Sequence, residues 1–367
     1  MVLTAPADPL RILALVADGF GATGGIARYN RDLVTALSAS ATVGQVVVVP
    51  RFGDTRGLAL PAGVEQVDAR GGRLAWAMAA AQQALARGFD AIFCGHIFAT
   101  PVAAVLARLT AKPLWLQVHG IEAWTAPGQA AARATADARL ITCVSRYTRA
   151  RLLGWCDIDP ARVRVLPNTV DARFAPGPKP PQLLQRLGLD GRRVILTVSR
   201  LSSGERYKGH DRIIAALPAV IARHPDAVYV VAGEGDDRGR LEQLARDADV
   251  TAHLRFVGQL PADELADAYR MADVFCMPST GEGFGIVFLE AAASGLSVIG
   301  GNRDGSVDAL AEGRIGRLVD PHDAGQLIAA RCDALDGHMK PAPPGEIERF
   351  GFANFSSHVD DLVRHHL

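Results

Sequence analysis

Lysine is almost missing from this sequence. It stands only at positions 112, 179, 208 and 340, so 4 of the 39 cations in the 367-residue chain are Lys and 35 are Arg. With the abundant Ala, this imbalance reads as genome-wide composition bias. It devalues any Arg cluster and draws attention to a Lys in an unusual place. Net charge is also missing, because 39 Lys plus Arg balance 39 Asp plus Glu. A dedicated nucleic-acid binder usually carries a basic excess, so no nucleic-acid partner is expected. The five cysteines, Cys94, Cys143, Cys156, Cys276 and Cys332, are odd in number and offer no C-x-x-C pair. A reducing, cytoplasmic compartment fits that usage. Cys94, Cys143 and Cys276 stand in apolar runs and read as small core residues. No uninterrupted apolar run approaches the ~18 residues of a membrane span. The start, MVLTAPADPLR, has no basic segment followed by an apolar one, so no signal peptide is expected. These absences leave a soluble protein, or one attached to a membrane surface.

What remains is ordinary globular composition, 49% apolar and 21% charged, in a length that suggests two domains. Short apolar, β-branched runs alternate with longer Ala/Leu/Arg segments of helical character. The strand-like runs are Arg11–Ala17, Gln45–Val49, Ala91–His96, Leu114–His119, Leu140–Val144 and Val163–Leu166 in the first half. In the second half they are Val194–Ser199, Ala227–Ala232, Leu254–Val257, Val274–Met277, Leu296–Ile299 and Gly316–Val319. Runs without polar alternation suit parallel strands covered on both faces. Helices are expected between them, for example over Ile26–Leu37, Leu74–Ala86, Asp211–Ala222 and Arg238–Ala248. The pattern is α/β with parallel sheets. The four prolines between Arg173 and Pro181 break it and mark a linker between two halves of similar size.

Gly19-Phe-Gly-Ala-Thr-Gly24 is a formal G-x-G-x-x-G between a strand-like and a helix-like run. It raises the alternative of an NAD(P)-dependent oxidoreductase, with a pyrophosphate at a helix N-terminus. The acidic residue that should end the next strand and bind the ribose is not there, because that strand ends at Pro50-Arg51 and Asp54 comes too late. Gly24-Gly25 can still approach a phosphate-bearing ligand in another architecture.

The most informative segment is Ser279-Thr-Gly-Glu282-Gly-Phe-Gly-Ile-Val-Phe-Leu-Glu290, with two carboxylates eight positions apart. A helix is expected from Ile286, which puts Glu282 in a glycine loop and Glu290 in the first turns. Amides at a helix start bind anions, and carboxylates on either side accept from hydroxyls. Together they describe a pocket for a nucleotide sugar. The bland alternative is a capped helix with solvated acids.

This segment resembles the Glu-x7-Glu motif of retaining glycosyltransferases with the GT-B fold, above all glycosyltransferase family 4. The rest of the chain agrees in order. Val198-Ser-Arg200-Leu with Arg206-Tyr-Lys208-Gly-His-Asp, Val231-Ala-Gly-Glu-Gly235, Leu254-Arg-Phe-Val257-Gly258, Gly24-Gly25, Val118-His119-Gly120, Thr142–Thr148 and Val165–Asp171 are similar to further family segments. The resemblance implies two Rossmann-like parallel-sheet domains facing across a cleft. It places an acceptor-binding domain at residues 1–172, a linker at 173–190, a donor-binding domain at 191–349, and a tail, 350–367, that crosses back to the first domain. It also implies roles. Arg200 and Lys208 hold the donor diphosphate, and Glu282 binds donor-sugar hydroxyls. Glu290 accepts from the ribose, and the amides of Phe284, Gly285 and Ile286 lie near sugar and phosphate. Val257 lies against the base, Gly24 and Gly25 form the N-terminal loop, and His119 faces the reacting centre.

The implied activity is transfer of a hexosyl group, mannose first and glucose second, from a nucleoside diphosphate sugar to a hydroxyl of a lipid-linked or oligosaccharide acceptor, with retention. No cofactor and no metal are implied, and the Asp157/Asp159 and Asp247/Asp249 pairs stand away from the glycine loops. A second alternative is a nucleotide-sugar-binding protein without catalysis. Charge by half bears on the acceptor. Residues 1–171 hold 17 Lys/Arg and 12 Asp/Glu, 17 − 12 = +5, so the remainder is −5. Seven Arg against three Asp between Arg133 and Arg164 suit an anionic membrane surface on the cytoplasmic face.

Overall fold

The computed structural model describes residues 8–367, which divide into two compact units. The first runs to Thr169 and takes in Phe352–Leu367; the second is Val170–Gly351.

The first unit is built on seven parallel strands: β1 (Leu10–Asp18), β2 (Val43–Phe52), β3 (Val64–Gln66), β4 (Ala91–Cys94), β5 (Leu114–Val118), β6 (Leu140–Cys143) and β7 (Val163–Val165). Their order is β3-β2-β1-β4-β5-β6-β7. The second unit has β8 (Arg193–Val198), β9 (Ala227–Ala232), β10 (Leu254–Gly258), β11 (Val274–Met277), β12 (Ser297–Gly301) and β13 (Arg317–Val319), in the order β10-β9-β8-β11-β12-β13. All twelve apolar runs read from the sequence are strands. β3 escapes that reading because Val-Glu-Gln is short, polar and at a sheet edge. The α/β class with two Rossmann-like parallel sheets is thus observed.

In both sheets the winding reverses beside the first strand, between β1 and β4 and between β8 and β11. The carboxyl ends of strands at such a reversal are where open α/β sheets hold ligands.

In the first unit, helix α1 (Gly25–Ala39) follows the Gly24 turn. Helices α2 (Arg73–Ala86) and α3 (Thr100–Thr110) share one core with the sheet through Trp76, Ala80, Ala103 and Leu106. The terminal helix Phe352–His366 packs on α1, with Phe355 edge-on to Tyr29 at 5.8 Å and Ser40 Oγ donating to Asp360 at 2.5 Å. In the second unit Arg173–Pro180 has no regular structure, but Pro181–Leu187 is helical. Pro181 starts that helix, where its missing N–H is no loss.

All five cysteines are free and buried. Cys276 has an unusual neighbour in Arg331, on helix Ala324–Leu335. Burial pushes the Cys276 thiol up to about 11 against the opposing pull of Arg331. Arg331 is wholly buried, and its guanidinium nitrogens have no hydrogen-bond partner among the described residues. Desolvation of a buried charge without compensating partners is unfavourable, so an apolar residue of similar volume is expected to stabilise the fold. Arg331→Met is therefore expected to raise the urea midpoint of unfolding. A lowered midpoint would mean that the guanidinium is solvated or paired in solution.

Candidate functional site

The loops after β8 and β11 meet at the winding reversal of the second unit, and they carry the site residues. They touch where the Thr280 amide donates to the Tyr207 carbonyl at 2.9 Å and a Cβ on Gly209 would stand 2.6 Å from the Pro278 carbonyl oxygen. After β8, Ser199–Leu201 lies directly on the strand-end loop of β9. A Cβ on Gly233 would stand 1.9 Å from the Ser199 carbonyl oxygen, and one on Gly235 would stand 2.1 Å from that of Leu201. The same β9 loop grips the chain further on: Asp236 accepts from the Ser203 amide at 2.8 Å, and Asp237 pairs with Arg206 at 3.1 Å. The chain then turns at Gly209, φ 83°, into helix His210–Arg223.

The loop after β11 is anchored by a residue that sequence reading missed. Asp304 is buried. Its Oδ2 accepts from the Ser279 hydroxyl at 2.8 Å and the Glu282 amide at 2.7 Å, and its Oδ1 accepts from the Ser306 amide at 2.9 Å. Burial raises its pKa, and these donors oppose the rise. The amide of Gly305 donates to the Glu282 carbonyl at 2.9 Å, so close that a Cβ there would stand 2.0 Å from the Gly283 oxygen. Gly285, φ 89°, opens helix Ile286–Ala293, as expected. The amides of Phe284, Gly285 and Ile286 stand at that helix start, where the backbone favours anions.

Lys208 Nζ donates to Glu282 Oε1 at 2.7 Å and lies 3.6 Å from Glu205 Oε2. Only 12% of the Lys208 side chain and 13% of that of Glu282 are exposed. Burial disfavours the charged ammonium, yet the Glu282 and Glu205 carboxylates and Tyr207 outweigh it and raise its pKa. Arg200 is exposed and pairs with the other oxygen of Glu205. Glu205 thus bridges the two cations, another residue that motif spacing did not reveal. Glu290 is buried on its helix, where the Tyr269 hydroxyl donates to Oε2 at 2.8 Å. Val257 sits on edge strand β10 at a break in register, since Phe256 pairs Val231 and Gly258 pairs Ala232. Such a bulge re-aims a side chain.

Beneath the Lys208 loop runs a chain of hydrogen bonds. His210 Nδ1 donates to the Tyr229 hydroxyl at 2.7 Å, Tyr229 donates to Thr197 Oγ1 at 3.0 Å, and Thr197 donates to the Cys276 carbonyl at 2.5 Å. Ser199 Oγ meets His210 Nε2 at 2.8 Å. Burial, then the Lys208 charge, pushes the His210 pKa down to about 4.

The remaining sequence-selected residues lie in the first unit. His119 follows β5, with Nε2 2.9 Å from the Gly95 carbonyl oxygen and Tyr29 edge-on at 5.1 Å. Its own amide donates to Glu122 at 2.6 Å. Burial pushes its pKa down to about 4 despite Glu122, so at neutral pH it offers hydrogen bonds and no charge. Gly24 (φ 103°) and Gly25 are exposed at the start of α1.

The glycines of the G-x-G-x-x-G have a local job. A Cβ on Gly21 would stand 1.9 Å from the Asp54 carbonyl oxygen, and the Gln66 amide clasps both the N–H and the C=O of Phe20. The arginines between 133 and 164 are likewise partly structural. Arg139, Arg149 and Arg162 donate to the backbone carbonyls of His366, Val163 and Ala138. Among the described residues no group of side chains has the makings of a metal site.

Comparison with known proteins agrees with this geometry. The model of the family Glycosyl transferases group 1 matches residues 182–342, and that of Glycosyltransferase Family 4 matches residues 23–174. A GDP-mannose-dependent alpha-(1-6)-phosphatidylinositol monomannoside mannosyltransferase of Mycolicibacterium smegmatis is 36% identical over 57% of this chain and 56% of its own length. A phosphatidyl-myo-inositol mannosyltransferase of the same organism is 40% identical over 47% of this chain and 42% of its own. A D-inositol 3-phosphate glycosyltransferase of Acidothermus cellulolyticus is 36% identical over 58% and 49%. The chain spans about half the length of the curated relatives it matches. Among solved structures, Anabaena HepE in complex with UDP and glucose has a TM-score of 0.77 at 19% identity, covering 97% of this chain and 99% of that one. Sucrose-phosphate synthase from Thermosynechococcus elongatus gives 0.77 at 21%, covering 96% and 98%. These two share the fold.

The buried histidine gives a pH prediction for the protein without ligand. The folded His210 pKa of about 4 lies below the unfolded 6.5, so the unfolded chain takes up a proton first as pH falls. The stabilisation is complete above pH 6.5 and is lost as pH falls toward 4, by roughly 3 kcal/mol in all. Urea unfolding at pH 7.5 and pH 5 should show this loss, and His210→Asn should reduce it. Identical pH slopes in the two proteins would contradict a neutral buried His210.

Proposed function

Because this chain belongs to glycosyltransferase family 4 and has the GT-B fold, we propose that it transfers a hexosyl group from a nucleoside diphosphate sugar to an acceptor hydroxyl, with retention at the anomeric carbon. The observation that carries the proposal is the junction of Arg200, Lys208 and Glu282 with the amides at the start of helix Ile286–Ala293. The two cations neutralise charge that builds on the departing diphosphate, a fixed electrostatic contribution that needs no metal. The helix-start amides complete the anion site. Glu282 accepts from donor-sugar hydroxyls, and Glu290, held by Tyr269, accepts from the ribose. Val257 lies against the base. Neither carboxylate is given the part of a nucleophile, so the pair is unlike that of a glycoside hydrolase. His119 is assigned as a neutral hydrogen-bonding group for substrate, and Gly24-Gly25 as a backbone approach to it.

GDP-mannose is the first donor and UDP-glucose the second. The GDP-mannose-dependent mannosyltransferase relative supports the first, and the phosphatidylinositol substrates of the two mannosyltransferase relatives support a lipid-linked acceptor; an anionic, cytoplasmic membrane surface is part of the same proposal. Among the described residues no helix is long and apolar enough to cross a membrane. The oxidoreductase alternative is weakened by the packing roles of Gly21 and Gln66. A non-catalytic binder would have little use for buried Lys208 beside the anion site.

Donor hydrolysis and transfer across a panel of GDP- and UDP-sugars tests the proposal. Turnover of GDP-mannose is expected. Lys208→Ala should cut it by about 100-fold, the scale of losing one transition-state charge partner. Glu290→Ala should act mainly through KM for the donor. Stabilisation by NADPH with no turnover of any nucleotide sugar would overturn the reading.

A further inference from the structure

Helix α1 carries Gly25 at its start and Tyr29 one turn further on. Tyr29 is buried, with 1% of its surface exposed. Its ring stands edge-on to two others. One is His119, at 5.1 Å and an interplanar angle of 87°; the other is Phe355, at 5.8 Å and 86°. The first is the histidine that the proposed function sets against substrate. The second belongs to helix Phe352–His366, far away in sequence. Tyr29 therefore joins that helix to a site residue.

The Tyr29 ring has little freedom. Its hydroxyl donates to Gln117 Oε1 at 2.9 Å and lies 3.2 Å from the Leu166 carbonyl oxygen. Gln117 is buried on β5 and is itself held. Its Nε2 donates to the Val118 carbonyl at 2.9 Å, and its Oε1 accepts from Thr142 Oγ1 at 2.6 Å. Thr142 Oγ1 accepts in turn from Trp115 Nε1 at 2.7 Å. A buried network with its partners in place holds one arrangement. Phe355, 4% exposed, stands against the same ring. Its helix is fastened by Asp360 to Ser40 and by the His366 carbonyl to Arg139.

His119 has need of such a support. Its Nε2 stands 2.9 Å from the Gly95 carbonyl oxygen, which can only accept. The neutral ring thus carries its proton on Nε2 and leaves Nδ1 as an acceptor. One hydrogen bond fixes a point, and rotation about χ2 of a histidine is soft. A second ring at right angles sets the plane.

We propose that Tyr29 is a positioning residue for His119, with Phe355 of helix Phe352–His366 as its buttress. The stack keeps Nδ1 of His119 in one orientation, ready to accept from a substrate hydroxyl. This rests on the part given to His119 above and deepens it.

Two readouts on the whole chain test it. The first is nitrogen NMR of histidine-labelled protein without substrate, with His119 assigned through its loss in His119→Gln. The parent should show the Nε2-protonated tautomer. Tyr29→Leu, which removes the ring and keeps apolar bulk, should give a mixture of tautomers. Tyr29→Phe, which keeps the ring, should not. Phe355→Leu leaves Tyr29 and its hydrogen bonds in place and should shift the His119 signal in the same direction as Tyr29→Leu. The second readout is steady-state transfer. Tyr29→Leu should lower kcat about tenfold and leave the donor KM within about threefold, because the second unit's loops hold the donor. Tyr29→Phe should keep kcat within about threefold of the parent. A purely structural role would make the losses follow the urea midpoints and leave the His119 signal unmoved. An unmoved signal in folded Tyr29→Leu and Phe355→Leu, or a kcat loss in Tyr29→Phe as large as in Tyr29→Leu, would overturn the proposal. A tautomer change in Tyr29→Leu, with no turnover of any nucleotide sugar by the parent, supports the positioning and removes the transferase reading. Turnover by the parent with His119 unmoved in the variants does the reverse.

Discussion

Backbone lying on backbone at the carboxyl ends of β8, β9 and β11 is the constraint on which the rest of the second unit depends. Ser199 and Leu201 rest on Gly233 and Gly235, and Gly305 rests on Gly283, each at a distance that leaves no room for a Cβ. The β8 and β11 loops meet where a Cβ on Gly209 would stand 2.6 Å from the Pro278 carbonyl oxygen and the Thr280 amide donates to the Tyr207 carbonyl at 2.9 Å, which lets Lys208 reach Glu282 across 74 positions of sequence. Asp304 fastens one side of this junction, and Asp236 and Asp237 fasten the other. The glycines are therefore required by contact as much as by conformation. They hold charged side chains in place on rigid strand ends, which is what a preorganised site needs.

The junction is electrically balanced without a ligand. Arg200 and Lys208 face Glu205 and Glu282, two charges of each sign. On the proposed function, a diphosphate would compete with the carboxylates for the same cations. Glu282 would then be released toward sugar hydroxyls while Glu205 kept both cations in place. The neutral His210 beneath the loop adds no further charge to this balance.

Much of the fold was legible because parallel strands covered on both faces are local apolar runs. β3 was not, since a short polar edge strand is defined by its neighbour β2 and not by its own composition. The site was legible where chemistry is written in close spacing, as in Glu282 to Glu290 with the intervening glycines. Asp304 and Glu205 were invisible because their partners lie in other loops or depend on the fold of an irregular turn. Spacing also misled. Gly19–Gly24 has the dinucleotide pattern, yet Gly21 is there to admit Asp54, and the arginine-rich stretch of 133–164 in part holds backbone.

The proposed function puts the donor on the loops after β8 and β11. Amide hydrogen exchange of the whole chain, with and without saturating GDP-mannose or UDP-glucose, tests it most directly. Slowed exchange is expected over Ser199–Gly209 and Ser279–Ala293. Unchanged exchange there, or protection confined to Gly19–Gly25, would contradict it.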